Sequence, residues 1–352
     1  MARRTNSSNI KDYAIVTLGS HTALQILKGA RDEGFKTICV CVKGQERPYQ
    51  SYGVVDEFIF VDSFKNYFEV EEQLIKKNAI MIPHGSFVSY LGWEKIQDIK
   101  VMHYGTKGIL EWESDRNKER IWLGKAGLRQ PKIFHTPEEI DRPVIIKFHG
   151  AKGGFGYFIA NSPEEFHERI ANYPGEDGYV IQEYIVGVPI YAHYFYSPVT
   201  KELEVMGFDK RYESNADSIG RIAAKDQLDA GIRTSYTITG NMPLVIRESI
   251  LPQVFEMGER VVEESKKLIG HTSGKPLEKG LYGPFCLEAI LDPDLNFFVF
   301  EISARIVAGT KPYINGSPYT WLRYDEPMST GRRVARDIKQ AIESGRLEEV
   351  LG

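Results

Sequence analysis

Within the first hundred residues short apolar runs alternate with helical patterns, an alternation that a parallel sheet wrapped by helices satisfies. Tyr13 to Leu18 reads as a strand and Gly19-Ser20-His21 as a turn. Ala23, Leu24, Leu27 and Ala30 then share one helical face, and Gly34 closes the helix. Thr37 to Val42, Glu57 to Val61 and Ala79 to Ile82 are further strands, with a charged helix from Val70 to Lys77 before the last. Strands without polar alternation suit a sheet buried on both faces. The ligand side of such a sheet lies at the strands' C-terminal ends. Gly19-Ser20-His21 and Pro83-His84-Gly85-Ser86 fall there. A helix start after a strand points its amides at an anion, although Ser20 taken alone serves equally as a helix cap with His21 packed beside it.

The remainder is a different mixture, so the chain reads as α/β followed by α+β. A charged helix is expected over Glu111 to Gly127, and Pro131 ends it. Val144 to Phe148, Tyr157 to Ala160 and Tyr179 to Tyr184 read as strands. Further β-rich stretches are Ile190 to Tyr196, Leu203 to Phe208, Phe285 to Leu291 and Phe297 to Ile302. One long helix is expected from Pro252 to Leu268, and an amphipathic helix closes the chain from Thr330 to Val350. At 352 residues there is room for two or three lobes. A net charge of -4 argues against wrapping nucleic acid. Cys39, Cys41 and Cys286 are too few for a disulfide framework and suit core packing in a reducing compartment. No signal peptide and no membrane-crossing run is read, so a cytoplasmic protein is expected.

Two segments carry phosphate chemistry. Lys147-Phe148-His149-Gly150-Ala151-Lys152-Gly153-Gly154-Phe155-Gly156 joins two apolar runs, with four glycines in seven residues. Such a loop lets backbone amides close on phosphates, and Lys147 supplies a point charge. No Gly-Lys-Ser/Thr is present there, so it is not a Walker A loop. Far downstream, Glu288 and Glu301 each sit inside an apolar strand, and Asp292-Pro293-Asp294 turns between them. Two buried, facing carboxylates repel unless a cation neutralises them. Magnesium, which takes one or two carboxylates together with substrate phosphates, is expected there. Arg305 follows four residues after Glu301, placed to steady a phosphoryl group in transit. Gln182, Glu183 and Tyr184 lead from a strand edge to Gly187, where backbone groups can meet an adenine ring.

In this order the glycine loop, the strand edge and the two acidic residues resemble the ATP-grasp superfamily. Across nearly the whole chain, a more specific set resembles the PurP family, the archaeal formate-dependent ligases of purine synthesis. That set comprises Gly19-Ser20-His21-Thr22-Ala23-Leu24, Pro83-His84-Gly85-Ser86-Phe87, Glu113-Ser114-Asp115-Arg116, Thr239-Gly240-Asn241-Met242-Pro243 with Arg247-Glu248-Ser249, and Glu301 to Thr310. The resemblance implies an ATP-grasp fold behind a Rossmann-like, pre-ATP-grasp parallel-sheet domain. Its parts would be residues 1–110, which bind substrate, a small lobe 111–190 with the glycine loop, and a large lobe 191–352 with the metal site. It implies formylation of 5-aminoimidazole-4-carboxamide ribonucleotide (AICAR) by formate and ATP, giving the formamido product (FAICAR). His21, Ser86 and Asn241 would touch AICAR. Lys147, Gly153, Gly154, Gly156, Gln182, Glu183, Tyr184 and Glu213 would touch ATP. Glu288 and Glu301 would hold magnesium, or manganese in its place, and a homo-oligomer is implied. Thr22 stands where the family pattern leads to serine, and Lys311 where it leads to asparagine; if position 311 helps shape the formate or phosphate pocket, the lysine bears on the use of formate. Lys118 is a candidate for the superfamily's first ATP lysine. Two other readings stay open: an ATP-grasp ligase joining another acid to a ribonucleotide amine, and a non-catalytic protein that binds ATP or AICAR.

Overall fold

The computed structural model describes residues 9–148, 157–173, 178–213, 221–232, 238–271 and 273–352. Its first sheet contains β1 (Ala14–Leu18), β2 (Lys36–Val42), β3 (Glu57–Val61), β4 (Ala79–Met81) and β5 (Met102–His103). All pairs are parallel, in the order β3-β2-β1-β4-β5. Every residue of β1 is buried, as expected of a central strand covered on both faces. Cys39 and Cys41 are free and buried beside Ala23 and Leu27, in keeping with a packing role.

One covering layer comes from both ends of the chain. Helix Ala23–Asp32 packs against helix Thr330–Glu343, and their buried side chains join those of β1 and β4 in a single core. Glycines let the two backbones meet: a Cβ on Gly29 would lie 2.2 Å from the Arg332 nitrogen, and one on Gly331 2.3 Å from the Gln25 carbonyl oxygen. Around this contact Glu33 accepts from Arg332 and Arg336. The last helix stops at Glu343, short of the expected Val350, because Gly345 turns the chain with φ +69°.

A four-stranded antiparallel sheet follows, formed by β6 (Ile133–Phe134), β7 (Val144–Phe148), β8 (Tyr157–Ala160) and β9 (Tyr179–Glu183), in the order β6-β9-β7-β8. The stretch 111–127 forms two helices instead of one, Lys107–Ser114 and Arg116–Lys125. Asp115 between them is extended, and its side chain accepts from the amides of Asn117 and Lys118.

The largest sheet is antiparallel, with β10 (Val188–Tyr196), β11 (Leu203–Glu213), β12 (Ile238–Leu244), β13 (Gly283–Leu291) and β14 (Phe297–Ser303). Its order is β12-β11-β10-β13-β14. Helix Leu251–Ser265 buries Val254, Met257, Val261 and Val262 against one face. The alternation of β-strand side chains leaves the other face to a polar row. Among the described residues no helix is long and apolar enough to cross a membrane.

Candidate active site

The polar row runs across the strands. Glu301 on β14 pairs with Glu288 on β13, Glu288 with Tyr191 on β10, and Tyr191 with Asp209 on β11. Two residues along β11, Arg211 pairs with Asn241 on β12. Arg211 stacks over the Tyr191 ring at 3.9 Å from its centroid and donates from Nη2 to Glu288 at 3.1 Å. Glu288 is buried, as the sequence leads one to expect, but Glu301 is exposed. The difference is positional: β14 is the sheet's edge strand, and the register shifts between Glu288 and Ala289. Burial, and then the Glu301 charge, push the Glu288 carboxyl up to about 7.

Behind this pair stand two further carboxylates. Glu113 binds Arg305 at 2.6 Å with Oε1 and accepts the Ala304 amide at 3.0 Å with Oε2. Glu119 accepts the Ile302 amide at 3.4 Å, and burial, Glu301 and Glu113 raise it to about 9. Among the described residues no three His, Cys, Asp or Glu side chains converge as a ready metal cluster. The paired Glu288 and Glu301 fit a hard cation that keeps several waters and takes two carboxylates. Burial is the larger cause of the Glu288 rise, and the Glu301 charge, which such a cation would offset, the smaller.

Lys147 lies on β7, across from this row. Burial and the nearby Arg116 hold its ammonium below the usual lysine value, while Glu301 acts in the opposite sense. Arg116 opens helix Arg116–Lys125 and makes no ion pair among the described residues. Lys118 is committed elsewhere: it pairs with Glu111 and lies over the rings of Trp93 and Trp112. Arg116 is thus a cation beside Lys147 without an ion pair among the described residues, and although it belongs to Glu113-Ser114-Asp115-Arg116 its spacing alone suggests no role. Gln182 lies mid-ladder, paired with Ile145 and Ile133. The amides of Glu183 and Tyr184 are spent on the carbonyls of Lys132 and Pro143, and the Glu183 carboxylate pairs with Arg142. Gly153, Gly154 and Gly156 lie outside the described residues, and of Glu213 only the backbone, at the end of β11, is described.

The first sheet meets this row through its strand ends. His21 takes φ 51° in the turn after β1, and its ring stacks on His84 at 5.5 Å between centroids. His84 is fully buried, with Nε2 3.1 Å from the Leu18 carbonyl oxygen. Its backbone forms a parallel bridge with Ile306, just beyond β14. That bridge brings the strand-end loops beside the large sheet. Burial lowers His21 to about 4, reinforced by the charges of Arg305, Lys311 and Arg211. Ser86 caps helix Phe87–Leu91 by position only, without a side-chain cap bond, and its amide donates to His84 Nδ1 at 3.2 Å. A cavity of about 420 Å³ opens here, lined by His21, Lys28, Lys311 and the apolar Leu24, Val54 and Ile314. Lys311 makes no ion pair among the described residues. The fold therefore brings His21, Arg211, Arg305 and Lys311 into one electrostatic neighbourhood with the glutamate pair, and sets Asn241 on the far side of Asp209.

Comparison with known proteins assigns the family. A model described as Domain of unknown function (DUF1297) matches residues 164–352, and one described as Protein of unknown function (DUF1246) matches residues 15–134. The chain is 53% identical to a protein of Pyrococcus abyssi named 5-formaminoimidazole-4-carboxamide-1-(beta)-D-ribofuranosyl 5'-monophosphate synthetase, over 96% of this chain and 98% of that one. This chain belongs to that synthetase family. A Methanosphaera stadtmanae member is 46% identical over 100% of this chain and 97% of its own. The crystal structure of an IMP biosynthesis protein PurP from Thermococcus kodakaraensis superposes with a TM-score of 0.74 and 29% identity, covering 96% of this chain and 100% of that one. The N5-carboxyaminoimidazole synthetase of Staphylococcus aureus, complexed with ADP, shares the fold at a TM-score of 0.63 and 14% identity, over 93% of this chain and 77% of that chain. The architecture is thus an ATP-grasp one, and the family is one of ligases in purine biosynthesis.

Proposed function

We propose that this chain joins formate to the 5-amino group of AICAR at the expense of ATP, giving FAICAR, ADP and phosphate. The observation that carries this reading is the convergence on His21 of Arg305 and Lys311, from the segment that follows β14, and of Arg211 on β11. A phosphorylated, neutral-ringed substrate suits such a pocket, where cations meet a histidine held uncharged at neutral pH. His21 and Ser86 contact AICAR from the first sheet and Asn241 from the large one. Residues 1–110 form the substrate domain, with ATP clamped between lobes 111–190 and 191–352.

ATP lies with its phosphates toward Lys147, Arg116 and the loop carrying Gly153, Gly154 and Gly156. Its base lies along Gln182, Glu183 and Tyr184, and Glu213 contacts the nucleotide. Because the amides of Glu183 and Tyr184 are already bonded, that segment offers carbonyls and side chains to the base. Glu288 and Glu301 would hold magnesium, or manganese, and such a cation would supply charge neutralisation for the nucleotide's phosphates. A formate oxygen attacks the γ-phosphorus, and the bond to ADP breaks. The AICAR amine then attacks the formyl carbon; the carbon–nitrogen bond forms, the carbon–oxygen bond breaks, phosphate departs, and the amine proton is lost. Arg305, anchored by Glu113, steadies the phosphoryl oxygens. No side-chain nucleophile is required, so rate comes from alignment and charge.

Incubation with AICAR, ATP and formate should give FAICAR and ADP in equal amounts. ADP appearing only with another acid would replace formate in this reading. AICAR binding without turnover would overturn it.

A further inference from the structure

Asp209, at the β11 position of the polar row, is fully buried, and each of its oxygens has a separate partner. Oδ1 lies 2.6 Å from His193 Nε2, and Oδ2 accepts from Asn241 Nδ2 at 2.7 Å. Arg211 Nε stands 3.7 Å from Oδ2. His193 is itself buried, and its Nδ1 has no hydrogen-bond partner, so the ring's one polar engagement among the described residues is with Asp209. There is no slack around this pair: a Cβ on Gly309 would lie 2.1 Å from Asp209 Oδ1 and 2.7 Å from His193 Cε1.

A carboxylate only accepts hydrogen bonds, whereas a primary amide both donates and accepts. Asp209 therefore dictates which way the Asn241 amide faces. Its NH2 turns inward to Asp209, which leaves the Oδ1 of this partly exposed residue as the acceptor that Asp209 does not use. We propose that Asp209, fixed by His193, is a positioning residue that locks Asn241 as a hydrogen-bond acceptor, so that this side of the site selects an N–H donor on the substrate. Built on the assignment of Asn241 to AICAR, this deepens it: the position reads the substrate's amino or carboxamide N–H and rejects a ribonucleotide that offers a carbonyl there. A neutral partner at position 209 would let the amide flip and lose that preference. The buried dyad is thus a specificity element that never touches substrate.

The test is a reciprocal exchange. D209N and N241D should each raise the KM for AICAR by about tenfold, the weight of one well-placed hydrogen bond, while the KM for ATP stays within about twofold of wild type. In N241D two carboxylates face each other. In the double variant D209N/N241D, the amide introduced at position 209 can accept from His193 and donate to the carboxylate introduced at position 241. That restores an acceptor toward the cleft, and the AICAR KM should return to within about threefold of wild type. Multiplying defects in the double variant, or KM values for ATP and AICAR that rise together, would overturn the assignment.

A second measurement needs no variant at Asp209. In wild-type protein labelled with 15N-asparagine, the Asn241 side-chain amide, assigned by its loss in N241L, should exchange with solvent at least about tenfold more slowly than free amides. Exchange at the solvent-exposed rate would sink the proposal, whether or not D209N folds. Failure of the wild type to make FAICAR would instead remove the formyl-ligase reading and leave the amide measurement interpretable.

Discussion

Titration of Glu288 in the metal-free protein offers a direct measure of the site's electrostatics. Its carboxyl sits at about 7 through burial and then through Glu301, which pairs with it across the strands. From its ordinary value of 4.5 this displacement corresponds to roughly 3 kcal/mol. The native value lies above the unfolded one, so the stabilising effect is complete below 4.5. Between about 4.5 and 7 the unfolded chain has released a proton that the native state retains, and stability falls as pH rises. Above 7 the contribution is lost and the slope vanishes. Glu288→Gln keeps a neutral side chain at every pH and lacks this slope. Urea unfolding of both proteins from pH 4.5 to 8.5 should give stability curves whose separation changes by roughly 3 kcal/mol across that window. Magnesium at a hundred times its dissociation constant should add about 2.7 kcal/mol to wild type at pH 8 and little to the variant. Parallel curves, or equal magnesium shifts, would refute both the raised carboxyl and its place at the cation.

Other perturbations separate structural from chemical roles. Glu301→Gln should unfold within a few degrees of wild type, because the side chain is exposed, yet lose most turnover in the formate assay. Glu113→Gln leaves the Arg305 guanidinium without its anion and can satisfy only one of two former donors; it should cost about 2–4 kcal/mol in urea unfolding and lower kcat more than the KM for ATP. Gly309→Ala drives a methyl into the Asp209–His193 pair and should destabilise by about 2 kcal/mol or more on thermal unfolding. Arg333→Met breaks a buried cluster with Glu204 and Asp337; a loss of about 3–5 kcal/mol is expected, with the KM for AICAR unchanged in whatever fraction remains folded.

Much of the architecture was legible in the residues themselves. Unbroken apolar runs identified the parallel sheet, and Asp292-Pro293-Asp294 marked the hairpin that sets Glu288 against Glu301. These are local signals, set by strand periodicity and turn chemistry over a handful of residues. Helix limits were less legible: Asp115 splits one expected helix by capping the second, and Gly345 shortens the last.

What sequence could not supply depends on strands remote in the chain. Spacing alone made Glu301 look buried, yet its place on an edge strand exposes it. Lys118 and Arg116 are two residues apart and equally basic; only packing against Glu111 and two tryptophans removes the first and leaves the second beside Lys147. Residues from both ends of the chain share the layer over the first sheet because Gly29 and Gly331 permit their helices to touch. The direction of the Asn241 amide is set by Asp209 and His193, on neighbouring strands and 32 and 48 positions away. Composition and periodicity determine which segments become strands and which become helices, since those preferences are local free energies. Burial, charge state and hydrogen-bond polarity arise when distant strands are brought side by side, and here the tertiary structure alone decided them.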